Sequence, residues 1–145
     1  MINIKKVMVP VDFSRESILA AKFGVSIAME YGAELIMMHV IRPLHPTVRT
    51  AIPDMDQLQT TILHTAQEDL GKVIPQAVKN SLKKVEELVL MGEPHIEIPE
   101  KAKEMGVDML VIATHGRTGL SHVLLGSVAE RVIRYAPSPV LVVRN

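Results

Sequence analysis

The stretch Asp108–Ser127, "DMLVIATHGRTGLSHVLLGS", decides how the chain is expected to fold. Its apolar run, Met109–Ala113, has the length of a strand covered on both faces, and residues with helical spacing follow Ser127. Three glycines, at positions 116, 119 and 126, separate the two elements. Loops between a strand and a helix usually take about two to six residues, and this one is roughly twice that length. The spacing therefore predicts a strand, an ordered loop and a helix, although a plain flexible connection is the alternative.

Four more apolar runs of strand length flank this stretch. They are Val7–Val11, Leu35–Ile41, Val85–Leu90 and Val140–Val143. The run at 85–90 is the weakest, because two glutamates interrupt it. Segments with helical periodicity lie between the runs. This alternation predicts an α/β fold: one domain over residues 1–145 with an open, parallel, five-stranded sheet and helices on both faces.

Capping residues give the expected helix boundaries. Ser14 and Asp54 are suited to begin the first and second helices, and Pro94 is suited to the first position of a later one. Pro99 should kink that later helix or delay its start. Gly32 and Gly106 should end helices in the left-handed conformation.

The second helix and the segment before it carry two further predictions. Arg42–Pro53 contains three prolines and reads as a surface loop, placed where it could close over a ligand as a lid. The second helix is predicted to bury one apolar face. That face comprises Leu58, Ile62, Ala66, Leu70, Val73 and Ala77.

Composition excludes several classes of function. The 145 residues contain no cysteine, so disulfides and thiolate metal sites are excluded. Acidic and basic residues balance at 16 each, and only four residues are aromatic, which argues against nucleic-acid partners. No apolar run approaches the roughly 20 residues that span a bilayer. The N-terminal apolar run is too short for a signal peptide, and we expect a cytoplasmic protein without membrane contact.

The glycine-rich loop has the chemistry of an anion site. It leaves the carboxyl end of the fourth strand, and ligands bind at this edge of open parallel sheets. Glycines allow a ligand to approach the backbone, and the free amides of the helix beginning at Ser127 favour negative charge. His115 and Arg117 add donors. A phosphate chain fits this description. The Walker A and G-x-G-x-x-G patterns are absent, so a dinucleotide-binding Rossmann domain is not expected.

The same loop resembles the signature of the universal stress protein family, G-x2-G-x9-G-[ST], which marks its ATP-binding branch. The matching positions are Ala113, Gly116, Gly126 and Ser127, so alanine replaces the first glycine. The flanks "VDMLVIATHGRTG" and "VAERVIRYAPSPVLVV" are similar to the family, as are "KKVMVPVDFSRES", "LIMMHV" and "MGEPHIEI". The resemblance covers essentially the whole chain.

This resemblance implies a strand order of 3-2-1-4-5 and an adenine-nucleotide pocket. Asp12 would face ribose hydroxyls, and the backbone of Val40 would meet the adenine edge. The base would be lined by Pro10 and Val11. Ribose and phosphates would be flanked by Ala113, His115, Gly116 and Arg117, with Gly126, Ser127, Val128 and Ala129 at the helix amides. ATP would bring any Mg²⁺ through its phosphates, without a protein metal site. The strand Val140–Val143 would pair with a second copy in a homodimer.

Function is expected to be nucleotide-dependent stress response or signalling, with no catalytic residues assigned. The alternatives are an interaction module that binds no nucleotide, and a slow ATPase. From the residues alone, Asp12 could be only a turn or helix-entry residue, and His39 reads as a hydrogen-bonded core residue. An adenine-nucleotide hydrolase would need a second-substrate pocket, a receiver domain would need clustered acids, and a flavodoxin would place its phosphate loop after the first strand. None of these patterns is found.

Overall fold

The computed structural model describes residues 1–116 and 125–144. Five parallel strands form one sheet in the order β3-β2-β1-β4-β5, which confirms the predicted strand order. The strands are β1 (Lys6–Pro10), β2 (Glu34–Ile41), β3 (Val85–Met91), β4 (Met109–Ala113) and β5 (Val140–Val143). The helices are α1 (Arg15–Tyr31), α2 (Pro46–Ala51), α3 (Met55–Lys72), α4 (Gln76–Ser81), α5 (Pro94–Met105) and α6 (Ser127–Tyr135).

Helices cover both faces of the sheet, as the continuous apolar strands require. On one face, α1 and α3 bury residues such as Ala21 and Leu70 against Val9 and Leu35. On the other face, α5 and α6 pack against Met8, Met38 and Leu110, with Val132 completely buried. Each strand alternates between the two clusters, so the sheet itself forms the centre of the core.

Local capping chemistry explains most of the helix boundaries. The Ser14 hydroxyl accepts the amide of Ser17 at 3.1 Å and caps α1, as predicted. Gly32 and Gly106 end α1 and α5 with φ of 61° and 64°, and both therefore occupy the left-handed conformation expected of them. Pro94 occupies the first turn of α5.

Three predicted features of the chain before β3 were wrong. Arg42–Pro53 is not a continuous loop, because it contains the short helix α2. The expected second helix is broken into α3 and α4, because Pro75 has no N–H to donate to the preceding helical turn. Ala77, which was expected on the buried face, is exposed. Asp54 precedes α3 but makes no capping bond with its side chain, since its φ of 53° is left-handed.

Proline 99 does not delay the start of α5. The helix begins at Pro94 and continues through Pro99, which is buried. Only one backbone hydrogen bond is lost at a proline inside a helix, and burial of Ile98, Pro99 and Ala102 on the sheet offsets that loss. The alternative of a late start was therefore wrong.

Candidate functional site at the carboxyl ends of the strands

A cavity of about 610 Å³ opens at the carboxyl ends of β1, β2 and β4. Its volume lies within the range of about 300 to 1,000 Å³ that is usual for small-molecule sites. The cavity brings together every predicted site residue that the structure describes. These are Pro10, Val11, Asp12, Val40, Ala113, His115, Gly116, Gly126, Ser127, Val128 and Ala129. Arg117 was also predicted and lies outside the described residues.

The turn between β1 and α1 holds the carboxylate of Asp12 in one orientation. Oδ1 of Asp12 accepts hydrogen bonds from both the amide of Ser14, at 3.0 Å, and its hydroxyl. The amide of Asp12 donates to Oγ of Ser17 at 3.2 Å, and Ser17 is itself buried. Asp12 is therefore a turn residue and a cavity residue at once, so the two readings of its sequence position do not exclude each other.

Two glycines of the signature occupy positions where a side chain would collide with neighbouring groups. A Cβ on Gly116 would stand 2.2 Å from Oδ2 of Asp12. A Cβ on Gly126 would stand 3.0 Å from the carbonyl oxygen of Thr114, which already accepts the amide of Gly126 at 2.6 Å. The glycines thus allow the two ends of the loop to approach β1 and β4 closely, and they leave the backbone open at the cavity.

Alanine at the first signature position causes no backbone strain. Ala113 is the last residue of β4 and is 7% exposed. Among the described non-glycine residues, a positive φ occurs at Phe13 and Asp54 and not at Ala113. The extended backbone of a strand suits alanine as well as glycine. The departure from the signature therefore adds one methyl group to the cavity wall.

The N–H and C=O of Val40 face the cavity side of β2. In a parallel sheet, the N–H and C=O of one residue point to the same neighbouring strand, and successive residues alternate between the two neighbours. The carbonyl of Met38 bonds the amide of Val11 beside β1 at 2.8 Å, and that of Ile41 bonds Gly92 beside β3 at 2.9 Å. The N–H and C=O of Val40 consequently point toward β1, which has ended at Pro10. They form an adjacent donor and acceptor at the cavity wall.

Sequence reasoning missed nine lining residues, which are Ser17, Met38, His39, Ile41, Arg42, Pro94, Ile98, Ile112 and Thr114. Most belong to strand ends or to the start of α5. The expectation that ligands bind at the carboxyl ends of parallel strands, applied to every strand, would have found them. Arg42 adds a cation beside the cavity, and its Nε lies 3.6 Å from Oε2 of Glu93. His39 was expected in the core and is instead half-buried, although it does make the expected hydrogen bond.

Residues 1–116 and 125–144 contain no group of three or more metal-ligating histidine, aspartate or glutamate side chains. Within the same residues, no helix has the length and apolar character needed to cross a membrane.

The sheet order and the cavity at its carboxyl ends define an α/β domain with a nucleotide-binding type of fold. The family model described as "Universal stress protein family" matches residues 3–144. The chain therefore belongs to the universal stress protein family. Universal stress protein MJ0531 of Methanocaldococcus jannaschii is 39% identical over 142 residues, which cover 97% of this chain and 82% of the relative.

Solved structures share the fold along the whole chain. That of MJ0577, from the same archaeon, has a TM-score of 0.85 and 30% identity and covers 99% of this chain and 97% of its own. A universal stress protein in complex with cAMP has a TM-score of 0.70 and 24% identity, covering 97% of both chains. A protein from Archaeoglobus fulgidus in complex with dAMP has a TM-score of 0.64 and 23% identity, covering 98% of both.

Proposed function

We propose that this protein binds ATP in the cavity at the carboxyl ends of β1, β2 and β4 and acts as a nucleotide-dependent module in stress response or signalling. The observation that carries the proposal is the convergence of the signature residues on one cavity, around the open backbone at Gly116 and Gly126. Relatives of the same fold that hold cAMP and dAMP support an adenine nucleotide as the ligand class.

The adenine end of the ligand would lie against β2. The backbone of Val40 offers an N–H and a C=O on the same side of the strand, and the edge of adenine carries an acceptor nitrogen next to an amino donor. Apolar side chains line the cavity there, including Val11, Met38 and Ile112. Burying an aromatic base against such a surface gives about 25 cal/mol per Å² of apolar area.

The ribose and phosphates would lie between Asp12 and the start of α6. The carboxylate of Asp12 lines the cavity and can accept hydrogen bonds from ribose hydroxyls, since a carboxylate has about four acceptor positions. The first amides of α6, beginning at Ser127, would hold phosphate oxygens at the positive end of the helix dipole. Mg²⁺ would be bound mainly by the phosphates and water.

Binding, not turnover, is the proposed activity. The interaction module without nucleotide is the main alternative, and slow hydrolysis of ATP is the other. Titration calorimetry with ATP and Mg²⁺ distinguishes nucleotide binding from the first alternative. A phosphate-release measurement on the same samples distinguishes binding alone from slow hydrolysis.

The test compares wild type with Asp12→Asn. The amide keeps the size of the carboxylate and the acceptor for Ser14, but it loses the charge. Because hydrogen bonds to charged groups contribute about 1.5 to 3 kcal/mol, we expect the Kd for ATP to rise at least tenfold. Asp108→Asn is the matched control, since Asp108 is outside the cavity and its Oδ2 accepts the amides of Lys5 and Lys6. A folded wild type without saturable ATP binding would overturn the proposal.

A variant at Gly126 is a less selective test. Any side chain there meets the backbone oxygen of Thr114, so Gly126→Val would move the loop as well as remove ligand contacts. Asp12→Asn leaves the backbone unchanged and is therefore preferred.

We also propose that β5 pairs with the β5 of a second copy. The strand lies at the edge of the sheet, and Leu141 remains 36% exposed there. An apolar edge strand is stabilised when another strand covers it. Leu141→Lys should shift the mass measured by sedimentation equilibrium from dimer to monomer. An unchanged monomeric mass in both proteins would overturn this proposal.

A further inference from the structure

The hydrogen-bonded ladder between β1 and β2 stops one bond short of Val40. The amide of Val11 still donates to the carbonyl of Met38 at 2.8 Å. In a continued parallel ladder, the carbonyl of Val11 would next accept the amide of Val40. Instead, it lies 2.7 Å from Nδ1 of His39. Because a carbonyl can only accept, Nδ1 carries the proton and the imidazole ring is the donor.

Beyond Val11 the chain turns away from β2. A continued ladder would bring the amide of Phe13 to the carbonyl of Val40. Phe13 has a φ of 65°, which a bulky side chain rarely adopts. The ring of Phe13 packs on the ring of His39 with the centroids 4.5 Å apart and the planes at 45°. His39 thus contacts both the carbonyl of Val11, directly after β1, and the strained residue Phe13.

We propose that His39 is a positioning residue for the ligand: by donating Nδ1–H to the carbonyl of Val11, it keeps the N–H of Val40 available to the adenine edge. The proposal deepens the proposed function and rests on it for the identity of the ligand. The ring satisfies a buried carbonyl, which would otherwise seek another donor. In the parallel hydrogen-bonding pattern, the donor opposite the carbonyl of Val11 is the amide of Val40.

Removal of the Nδ1 donor of His39 should therefore make the N–H of Val40 unavailable to the ligand. In His39→Leu, the carbonyl of Val11 is left without its donor, and a bond from the amide of Val40 would satisfy it. Strand pairing would then extend by one bond, and the ligand would lose a donor. The same shift would draw the turn at Phe13 toward β2 and displace Asp12, the next residue along from Val11.

The first measurement is hydrogen exchange of the Val40 amide by NMR in the ligand-free protein. We expect exchange in His39→Leu to be at least tenfold slower than in wild type, because the amide becomes hydrogen-bonded. His39→Asn should behave as wild type, since its side-chain nitrogen is also attached to Cγ and can donate to Val11. His39→Phe keeps a ring against Phe13 without a donor and should resemble His39→Leu. His64→Leu, on the exposed face of α3, is the control.

The second measurement is the Kd for ATP of the same proteins. We expect a rise of about tenfold in His39→Leu and His39→Phe, equivalent to one hydrogen bond of about 1.4 kcal/mol, and little change in His39→Asn and His64→Leu. General destabilisation does not predict slower exchange at one amide, so the exchange result separates positioning from a purely structural role.

The outcomes distinguish the role of His39, the use of the Val40 N–H by the ligand, and ATP binding itself. Equal exchange of Val40 in wild type and the two variants without a donor overturns the role of His39. Slower exchange with an unchanged Kd for ATP shows that the ligand does not use this N–H, and this also overturns the proposal. Failure of wild type to bind ATP overturns the proposed function alone, because exchange in the ligand-free protein still tests what His39 does to Val40.

Discussion

Gly116 lies so close to the carboxylate of Asp12 that a Cβ on the glycine would stand 2.2 Å from Oδ2. This contact joins the loop after β4 to the turn after β1, and both residues line the cavity. At this distance, a side chain at position 116 would fit only if the carboxylate of Asp12 or the loop moved. The carboxylate of Asp12 thus favours glycine at position 116, and a positive φ is not involved.

Gly116→Ala should weaken ligand binding more than it weakens the fold. The added methyl displaces the carboxylate of Asp12, which we propose contacts the ribose, and we expect the Kd for ATP to rise about tenfold or more. Calorimetry gives the Kd and thermal unfolding gives the stability. The matched control is Gly71→Ala in α3, where a Cβ meets only Oε2 of Glu87 at 3.5 Å. That variant should be more stable by about 0.5 to 1 kcal/mol, with ATP binding unchanged. Equal ATP affinities in wild type and Gly116→Ala would contradict the prediction.

Ser14→Ala should lower the free energy of unfolding by about 1 kcal/mol. The substitution removes the cap of α1 and one of the two hydrogen bonds to Oδ1 of Asp12. Urea unfolding measures the loss. Ser26→Ala, an exposed change within the same helix whose hydroxyl bonds only to the carbonyl of Lys22, should change stability by less than about 0.5 kcal/mol. If the two variants lose equal stability, the cap has no special role.

The ion pair of Lys79 and Glu87 should contribute more to stability than the exposed pairs. Both side chains are mostly buried, at 13% and 21% exposure, and Lys79 also bonds the carbonyl of Gly71 at 2.6 Å. Lys79→Met leaves both oxygen acceptors without their donor, and we expect a loss of about 1 to 3 kcal/mol in denaturant unfolding. Lys101→Met removes an exposed pair with Glu104, with an expected loss below about 1 kcal/mol. A smaller loss at Lys79 than at Lys101 would refute this ranking.

Asp54→Gly should stabilise the protein, although glycine usually destabilises. Asp54 has a φ of 53°, is exposed, and its side chain makes no cap bond. Relief of the left-handed conformation should add up to about 1 kcal/mol. Asp56→Gly, two residues later inside α3, should lose about 0.5 to 1 kcal/mol. Thermal unfolding of the two variants should therefore move the Tm in opposite directions, and a fall in both would contradict the assignment of strain to Asp54.

Residues with strong local chemistry were predictable from the sequence. The continuous apolar runs Met109–Ala113 and Val140–Val143 match β4 and β5 residue for residue. Ser14, Gly32 and Gly106 act where their side-chain chemistry or freedom in φ predicts. The resemblance to the family, carried by the spacing of Gly116, Gly126 and Ser127, implied eleven described residues that the fold brings around one cavity. Periodicity and turn chemistry are local properties, so a sequence expresses them directly.

Features that depend on tertiary contact were not predictable in the same way. A helix of six residues, such as α2 or α4, is too short to give a periodic pattern. Asp54 has the right residue type for a cap, but its backbone conformation removes the hydrogen bond. The contact of His39 with the carbonyl of Val11 joins residues 28 positions apart, and it depends on the register of β1 with β2.

The two borders of the sheet differ in character, and this has a consequence for how large an assembly can grow. The β3 border carries Glu86 and Glu87 and follows Lys84, whereas the β5 border consists of valine and leucine alone. Charged residues on a border discourage further strands. Pairing of two copies through β5 would leave a charged border at each end of a ten-stranded sheet. Strand addition would therefore terminate itself at two chains, and a filament could not extend by the same contact.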